Sequence, residues 1–478
     1  MCDCNNIAAS SDLRASVTET PASKNAAGPG FAVKGNEALS YTYSFVDSVF
    51  DTNKEDLSEF YTKWGRVLVI LDTQVNKFYG DAITKYFEHY NIKPTLHVFN
   101  GGELNKNMRT FESFVDAMDD FGLIRKEPVL VVGGGLATDV VGYVCASYRR
   151  SSNFIRVATT LIGLIDAAVS IKVGINHKKL KNRLGAYHAP MHTFLDFDFL
   201  KTLPIGQIRN GFAEIVKISH VAHKPTWDRM VKYGPELIET AFGRNASGER
   251  ANELREVAGR ICQDAIRVML DLETGNLHEI KLDRVIASGH TWSPILELTP
   301  VVPLRHGHAI ATDMSYSMTL SLSRGYINEV EWKEFHDLLT TVGLTVDHED
   351  FTEPLLKKAT EYILKTRDNK QWFAVAKPIG TCHFINDATD EELATVLRQH
   401  KALIKEKYPQ THGGKGKDAF VDASDMGLDM ATFRKFAEGS VESAKVATGI
   451  VKTEKAANVN GHQIVAPISP ASSVESLN

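Results

Sequence analysis

Cysteine is scarce in this chain: five in 478 residues (Cys2, Cys4, Cys145, Cys262 and Cys382), scattered and odd in number. That usage excludes a disulfide framework and fits a reducing, cytoplasmic compartment. Cys2 and Cys4 form a close pair, but no second thiolate pair accompanies them to complete a structural zinc site. Long apolar runs are missing as well. No stretch approaches the roughly 18 residues of a membrane helix, and the start of the chain lacks the apolar core of a signal peptide. Nor is there an excess of positive charge: 54 Lys plus Arg face 59 Asp plus Glu, a net charge of −5. Bulk charge therefore recruits neither nucleic acid nor a membrane surface, although a local basic pocket is still allowed.

What is present suits a soluble globular protein. Hydrophobic residues make up 43%, enough in a chain this long to bury a large core without covalent staples. Length alone suits about three domains, and two remain once polar ends are set aside. Residues 1–36 (SSDLRAS, SKNAAGPG) read as a disordered N-terminal arm. Residues 409–478 (THGGKGKD, ASSVESLN) read as a low-complexity tail, with a short helix near 430–446 but little to build a core.

Between the ends, strand and helix signals alternate. Residues 66–71 (RVLVIL), 96–99, 128–132 (PVLVV) and 154–158 (FIRVA) are short apolar runs of the kind buried parallel strands make. A doubly wound α/β domain is expected over 37–203, with ligands at the carboxyl ends of its strands. After Leu203 the strand signals nearly vanish. Ile208, Phe212 and Ile215 fall on one helical face, and a helical domain is expected over 204–408. The cleft between two such halves is the default site for cofactor and substrate.

Three sets of residues carry chemistry. Gly133, Gly134 and Gly135 sit between a strand and a helix, where backbone can approach a phosphate and the helix N-terminus favours an anion. Asp72 at a strand end, with Glu103 and Lys106 in the next loop, suits ribose and adenine contacts; each alone also reads as a turn or cap residue. A basic set, Arg150, Lys172, Lys181 and Asn182, suits phosphate recognition, against scattered surface charge as the plainer reading. Lys172 stands apart because its surroundings (AAVSIKVGI) are apolar, where an unpaired ammonium is costly. Finally, Asn210, Glu214 and Lys217 form a polar stripe, followed by His290 in GHTWSP and His306 in RHGH. One carboxylate plus two imidazoles is the ligand set of a catalytic divalent metal. Spacing leaves other uses of these histidines open, since no short His-x-x-x-His signature joins them.

The succession GGGLATD, ATTLIGLIDAAVSIKVGIN, KNRLGAYHAP, LKTLP, NGFAEIVK, GHTWSPILE and RHGHAIA, across roughly residues 65–385, resembles the dehydroquinate synthase-like sugar phosphate cyclases. The resemblance implies an α/β Rossmann-like N-terminal domain and an all-α C-terminal domain. It also implies NAD, a divalent metal (Zn2+, or another such as Co2+) and a homodimer. By position, Glu214, His290 and His306 match the metal ligands. Asp72, Glu103, Lys106, Gly134, Gly135, Asp139, Thr159, Thr160, Lys181, Phe199 and Thr202 match residues lining the dinucleotide. Arg150, Asp166, Lys172, Asn182 and Lys217 match substrate or phosphate positions, Arg150 reaching across the dimer, and Glu279 falls at a general-base position. Lys172, Lys217, Glu279 and Asn182 are thus the expected catalytic set.

The departures redirect the substrate. Family members that make dehydroquinate hold a substrate carboxylate with a Lys, an Arg and an Asn ahead of the first metal histidine. Counted back from His290, those positions hold Met269, Asp283 and Ala287. Removing two cations and adding Asp283 costs a bound carboxylate on the order of several kcal/mol. Pro294 replaces a second histidine of that block. A hydroxymethyl ketone such as sedoheptulose 7-phosphate fits the altered pocket. Ala287 with Thr366 resembles the deoxygadusol-forming branch of the heptulose phosphate cyclases more than the valiolone-forming one. The resemblance implies NAD-mediated oxidation, phosphate elimination, intramolecular aldol closure and loss of water, a product that would feed mycosporine biosynthesis. A metal-dependent polyol dehydrogenase is the alternative enzyme, and a scaffold that has lost catalysis the non-enzymatic one.

Overall fold

The computed structural model describes residues 14–20, 30–36, 38–178, 180–411 and 416–439. Cys2 and Cys4 lie outside them. Strands β1 (Arg14–Thr20) and β2 (Gly30–Asn36) pair as an antiparallel hairpin. This backbone pairing, from Arg14 with Asn36 to Thr20 with Gly30, departs from the expectation of a disordered arm over 1–36.

The α/β half is built on six parallel strands: β3 (Thr42–Val46), β4 (Arg66–Asp72), β5 (Lys93–Phe99), β6 (Val129–Gly133), β7 (Phe154–Ala158) and β10 (His192–Asp196). Their order across the sheet is β3-β10-β7-β6-β4-β5. Between β7 and β10 runs a separate antiparallel hairpin, β8 (Lys172–His177) with β9 (Leu180–Tyr187). Helices α1 (Thr73–His89), α2 (Met108–Phe121) and α3 (Gly135–Ser147) complete the crossovers. Successive residues of a strand face opposite sides. Val67, Val69 and Leu71 of β4 accordingly pack with Ile83 and Phe87 of α1, whereas Leu68 and Ile70 pack with Phe114 of α2 and Val140 of α3. Burial on both faces explains why β4, β6 and, apart from Arg156, β7 read as apolar runs.

The helical half contains α4 (Ile205–Ala222), α5 (Lys224–Glu239), α6 (Ala251–Thr274), the short α7 (Ser293–Leu296), α8 (His306–Ser323), α9 (Glu329–Thr341), α10 (Glu353–Thr366) and α11 (Asp390–Lys407). It is not all-α. Strands β11 (Phe373–Ala376) and β12 (Cys382–Ile385) pair antiparallel beside α8. Helix α8 is buried on every side over most of its length. Most of its buried hydroxyls are satisfied internally, as by Ser315 with His336 (2.8 Å) and Thr319 with His400 (2.9 Å), whereas Ser321 Oγ has no partner.

The C-terminal stretch departs furthest from expectation. Within it, residues 416–439 form α12 (Ala423–Met426) and α13 (Met430–Ala437) and dock onto both halves. Paired charges, close glycine backbones and a small apolar cluster of Met426, Phe436 and Leu104 do the docking. Among the described residues no helix is long and apolar enough to cross a membrane.

Candidate active site

The sheet brings one end of every parallel strand to a single edge. Asp72 ends β4, Gly133 ends β6, and Thr159 with Thr160 follow β7. The chain leaves β4 for β5 on one side and returns to β6 on the other, so this edge holds the point where strand order reverses, the usual place for a nucleotide. Here Gly134 is the N-cap of α3, and a Cβ on it would lie 2.8 Å from Thr160 Cγ2; one on Gly135 would lie 3.0 Å from Ala167 Cβ. Backbone N–H groups at the head of α3 are thus bare, a fit for a pyrophosphate. Asp72 spends one oxygen capping α1, accepting from Gln74 N (2.8 Å) and Val75 N (2.9 Å). Phe199 is packed against Tyr79 and Phe50, and the Thr202 hydroxyl pairs with Tyr79 at 2.7 Å.

Beside this edge, Lys106 Nζ donates to Asp139 Oδ2 (2.7 Å) and Asn182 Oδ1 (2.6 Å). Asn182 N donates to Asn176 Oδ1 (2.9 Å), and Asn176 Nδ2 to Glu103 Oε1 (2.8 Å). Lys181 lies 3.5 Å from Glu103 and 2.5 Å from Glu297. Burial alone would raise the Glu103 pKa, but Lys181 and Lys106 hold it below the usual range.

Across the cleft, Glu214 on α4, His290 in the loop before α7 and His306 at the start of α8 converge, with ligand atoms all within 4.8 Å of one another. His306 Nε2 lies 2.9 Å from Glu214 Oε1, while its Nδ1 faces Glu297 Oε2 at 3.1 Å. His290 Nδ1 faces the Ser288 carbonyl at 3.1 Å, leaving Nε2 toward the cluster. A ring nitrogen anchored to a carboxylate or carbonyl, with the other presented inward, is the second half of a metal-ligand arrangement. One carboxylate and two such imidazoles fit a divalent ion with an open position. Burial depresses the His290 pKa to about 3, so its nitrogen stays unprotonated and available. Glu297 is held down to about 2: burial opposes this, but Lys181 and His306 outweigh it.

Lys217, one turn after Glu214, lies 2.6 Å from Glu214 Oε2 and 2.7 Å from Asp166 Oδ2. Burial works against its charge, yet the two carboxylates raise its pKa, so it stays an ammonium. Lys172 on β8 lies 3.1 Å from Glu273 and 3.2 Å from Glu279, and Arg284 lies 2.6 Å from the same Glu279 oxygen. These groups, with Asp283, line a cavity of about 230 Å³. Met269 is buried on α6, Ala287 is buried a few residues before His290, and Pro294 stands exposed at the first turn of α7.

Thr366, expected at the substrate, does not reach the cavity, and Arg150, expected to serve a neighbouring site, lies away from its own. Thr366 ends α10 exposed, its hydroxyl donating to Ile363 O at 3.0 Å. Its neighbour Arg367 is buried instead, its charge felt alongside those of Arg284, Asp313 and Glu279. Arg150 lies beyond the C-terminal end of α3, a helix of 13 residues that is about 20 Å long. It is on the opposite side of the sheet from its own nucleotide edge. Glu297, Glu273, Arg284, Arg367 and Asp313 were not singled out by sequence. Asp313 accepts from Trp292 N (2.5 Å) and Ser293 N (2.8 Å), tying the loop that bears His290 to α8. A carboxylate between the two histidines in sequence was the available signal for Glu297.

The model for the 3-dehydroquinate synthase N-terminal domain matches residues 96–210, and that for its C-terminal domain residues 211–370. The chain belongs to the 3-dehydroquinate synthase family, among its sugar phosphate cyclases. It is 50% identical over 390 residues to demethyl-4-deoxygadusol synthase of Trichormus variabilis, covering 82% of this chain and 94% of that one. It is 37% identical to 2-epi-5-epi-valiolone synthase of Actinoplanes sp., over 77% of this chain and 93% of that one. The solved structure of ValA, the 2-epi-5-epi-valiolone synthase of Streptomyces hygroscopicus, with NAD+ and Zn2+ bound, superposes with a TM-score of 0.72. Identity there is 32%, covering 78% of this chain and 99% of ValA.

Proposed function

We propose that this enzyme converts sedoheptulose 7-phosphate to demethyl-4-deoxygadusol, as a phosphate-eliminating carbon–oxygen lyase using NAD and a divalent metal, zinc or cobalt. One observation carries the reading. Glu214, His290 and His306 converge as a ligand set in a chain that carries Met269, Asp283 and Ala287, none of them a cation, where the dehydroquinate-forming pattern has residues for a substrate carboxylate. The 50% identity to a demethyl-4-deoxygadusol synthase supports it.

When bound, NAD takes up and returns hydride, and the metal ion supplies Lewis acidity at a substrate oxygen. Glu214, His290 and His306 would hold that ion; Gly134, Gly135, Asp72, Glu103, Asp139, Thr159 and Thr160 would hold the dinucleotide, with Phe199 and Thr202 beneath it. Lys217, kept cationic between Asp166 and Glu214, acts as a fixed positive charge beside a developing oxyanion, not as a base. Lys172, on the cavity side of β8, takes the phosphate with help from Lys181 and Asn182. Glu279 is a poor general base. Burial alone would raise its pKa, but Lys172 and Arg284 lower it. The departing phosphate, with free oxygens of its own, takes the proton from the carbon beside the oxidised one as its carbon–oxygen bond breaks. Holding both ends of the opened chain in one cavity supplies the effective concentration for aldol closure. Phosphoric acid and water leave with no net oxidation, so hydride removed at the start returns within the cycle.

A homodimer is part of the same proposal, with Arg150 completing the neighbouring site. So is a cytoplasmic setting, which the unpaired Cys145, Cys262 and Cys382 suit. A valiolone product is the second reading, favoured by one observation: Thr366 is turned away, leaving Ala287 alone to mark the branch. The product assay separates them. With NAD and zinc, sedoheptulose 7-phosphate is expected to yield an ultraviolet-absorbing cyclitol. A non-absorbing product one water heavier would establish the valiolone reading, and turnover of the dehydroquinate synthase substrate would defeat both. Stoichiometric NADH release from an unphosphorylated polyol would mark a dehydrogenase.

A further inference from the structure

Residues 416–439 follow the matched family domains, which end at residue 370, and they touch both sides of the cleft. Their first part clamps the helices that carry metal-site residues. Phe420 bridges Leu304, with Arg305 N donating to Ala419 O (2.8 Å) and Val421 N to Pro303 O (3.0 Å). The next residue, Arg305, is the N-cap of α8 and immediately precedes His306. Its guanidinium is fully engaged: Nε with Asp425 Oδ2 (2.8 Å), Nη2 with Asp422 Oδ2 (2.7 Å) and Nη1 with the Asp418 carbonyl (2.6 Å). On α4, which carries Glu214, Arg209 pairs with Asp418 and Gln207 donates to Asp425.

The second part sits against the cofactor-side loop. Gly102 and Gly427 meet backbone to backbone, both with positive φ (93° and 71°). A Cβ on Gly102 would lie 2.0 Å from Gly427 N, and one on Gly427 2.1 Å from Gly101 O. Asn100 Nδ2 donates to Gly427 O at 3.1 Å. Met426 and Phe436 are buried with Leu104, the residue after Glu103. The loop bearing Glu103 and Lys106 is thereby backed by a segment anchored to α4 and α8.

We infer that residues 416–439 are a clasp that positions the Glu103–Lys106 loop and slows dinucleotide release. This rests on the NAD reading above. It answers a demand of that chemistry: a cofactor that left with the hydride would strand the substrate half-way, whereas a retained one returns it. Asp425 and Gly427 act through the loop and are positioning residues.

The test compares NAD release from the full-length protein and from Gly427→Val, with Asp425→Asn as a gentler second variant and melting curves for each. Gly427→Val forces backbone apart at a contact with no spare room, and NAD release and KM for NAD are expected to rise roughly tenfold. KM for NAD rises by more than kcat falls, and Asp425→Asn shows the same split, smaller. Unchanged release in both variants overturns the clasp, as does weaker NAD binding that merely tracks a lowered melting temperature. Failure of the unaltered chain to bind NAD overturns instead the cofactor reading beneath it.

Discussion

Glu297 is a single carboxylate with two tasks. One oxygen accepts from Lys181 at 2.5 Å and the other faces His306 Nδ1 at 3.1 Å, so it joins the cofactor-side charges to the metal cluster. Removing it in Glu297→Ala leaves His306 free to rotate and to change tautomer. Loss of such an outer partner costs about 10- to 100-fold in metal affinity. Chelator competition for zinc should report a drop in that range, with circular dichroism unchanged; an unaltered competition curve would show that His306 is held by packing alone. Glu214, His290 and His306 were legible because a long succession of blocks resembled one family. Glu297 and Arg367 were not, since a lone charged residue acquires its meaning from what lies across space. Thr366 shows the converse: aligned by position, it exposes its side chain while its buried neighbour Arg367 faces inward.

Elements were legible where burial leaves a clear imprint. Strands β4, β6 and β7 stood out as apolar runs, but β3 (TYSFV) and β10 (HTFLD) mix polar and apolar residues and were passed over. The buried polar face of α8 has a consequence of its own. His336 sits between Ser315 Oγ (2.8 Å) and Trp332 O (2.7 Å), and burial pushes its pKa down to about 3. Below about pH 6.5 the unfolded chain takes up a proton that the folded state refuses until about pH 3. Stability from this residue is therefore present above that range and lost as pH falls through it, by up to about 1.4 kcal/mol per pH unit. Urea unfolding between about pH 6.5 and about pH 4 should show a shallower slope for His336→Asn, by about that amount. Equal slopes would mean that His336 titrates freely in the folded state.

At the scale of the whole molecule, Arg150 sits on the wrong side of the sheet to serve its own protomer. Arg149, Arg150 and Ser151 all have positive φ (50°, 62° and 113°), a conformation that costs non-glycine residues free energy and persists where surroundings impose it. If Arg150 completes a partner's site, Arg150→Ala and Lys217→Ala should each be nearly inactive alone. Mixed and re-equilibrated, half the dimers are hybrids, each with one site carrying both defects and one carrying neither. Activity should recover to roughly a quarter of the unaltered level. No recovery would show that Arg150 does not complete a partner's site.

Sequence alone determined the two-part plan, because apolar runs followed by helical periodicity record burial directly. It also picked out the members of the metal-type cluster, because the order of many blocks was retained. Tertiary structure decided how those residues are wired. It bound Lys106 to Asn182, kept Lys217 cationic between two carboxylates, removed Thr366 from the cavity and sent Arg150 to the far side. It also turned a tail of small and charged residues into a brace across the cleft. Ion pairs, backbone contacts between glycines and the direction of a side chain depend on partners distant in the chain, and local pattern carries no record of them.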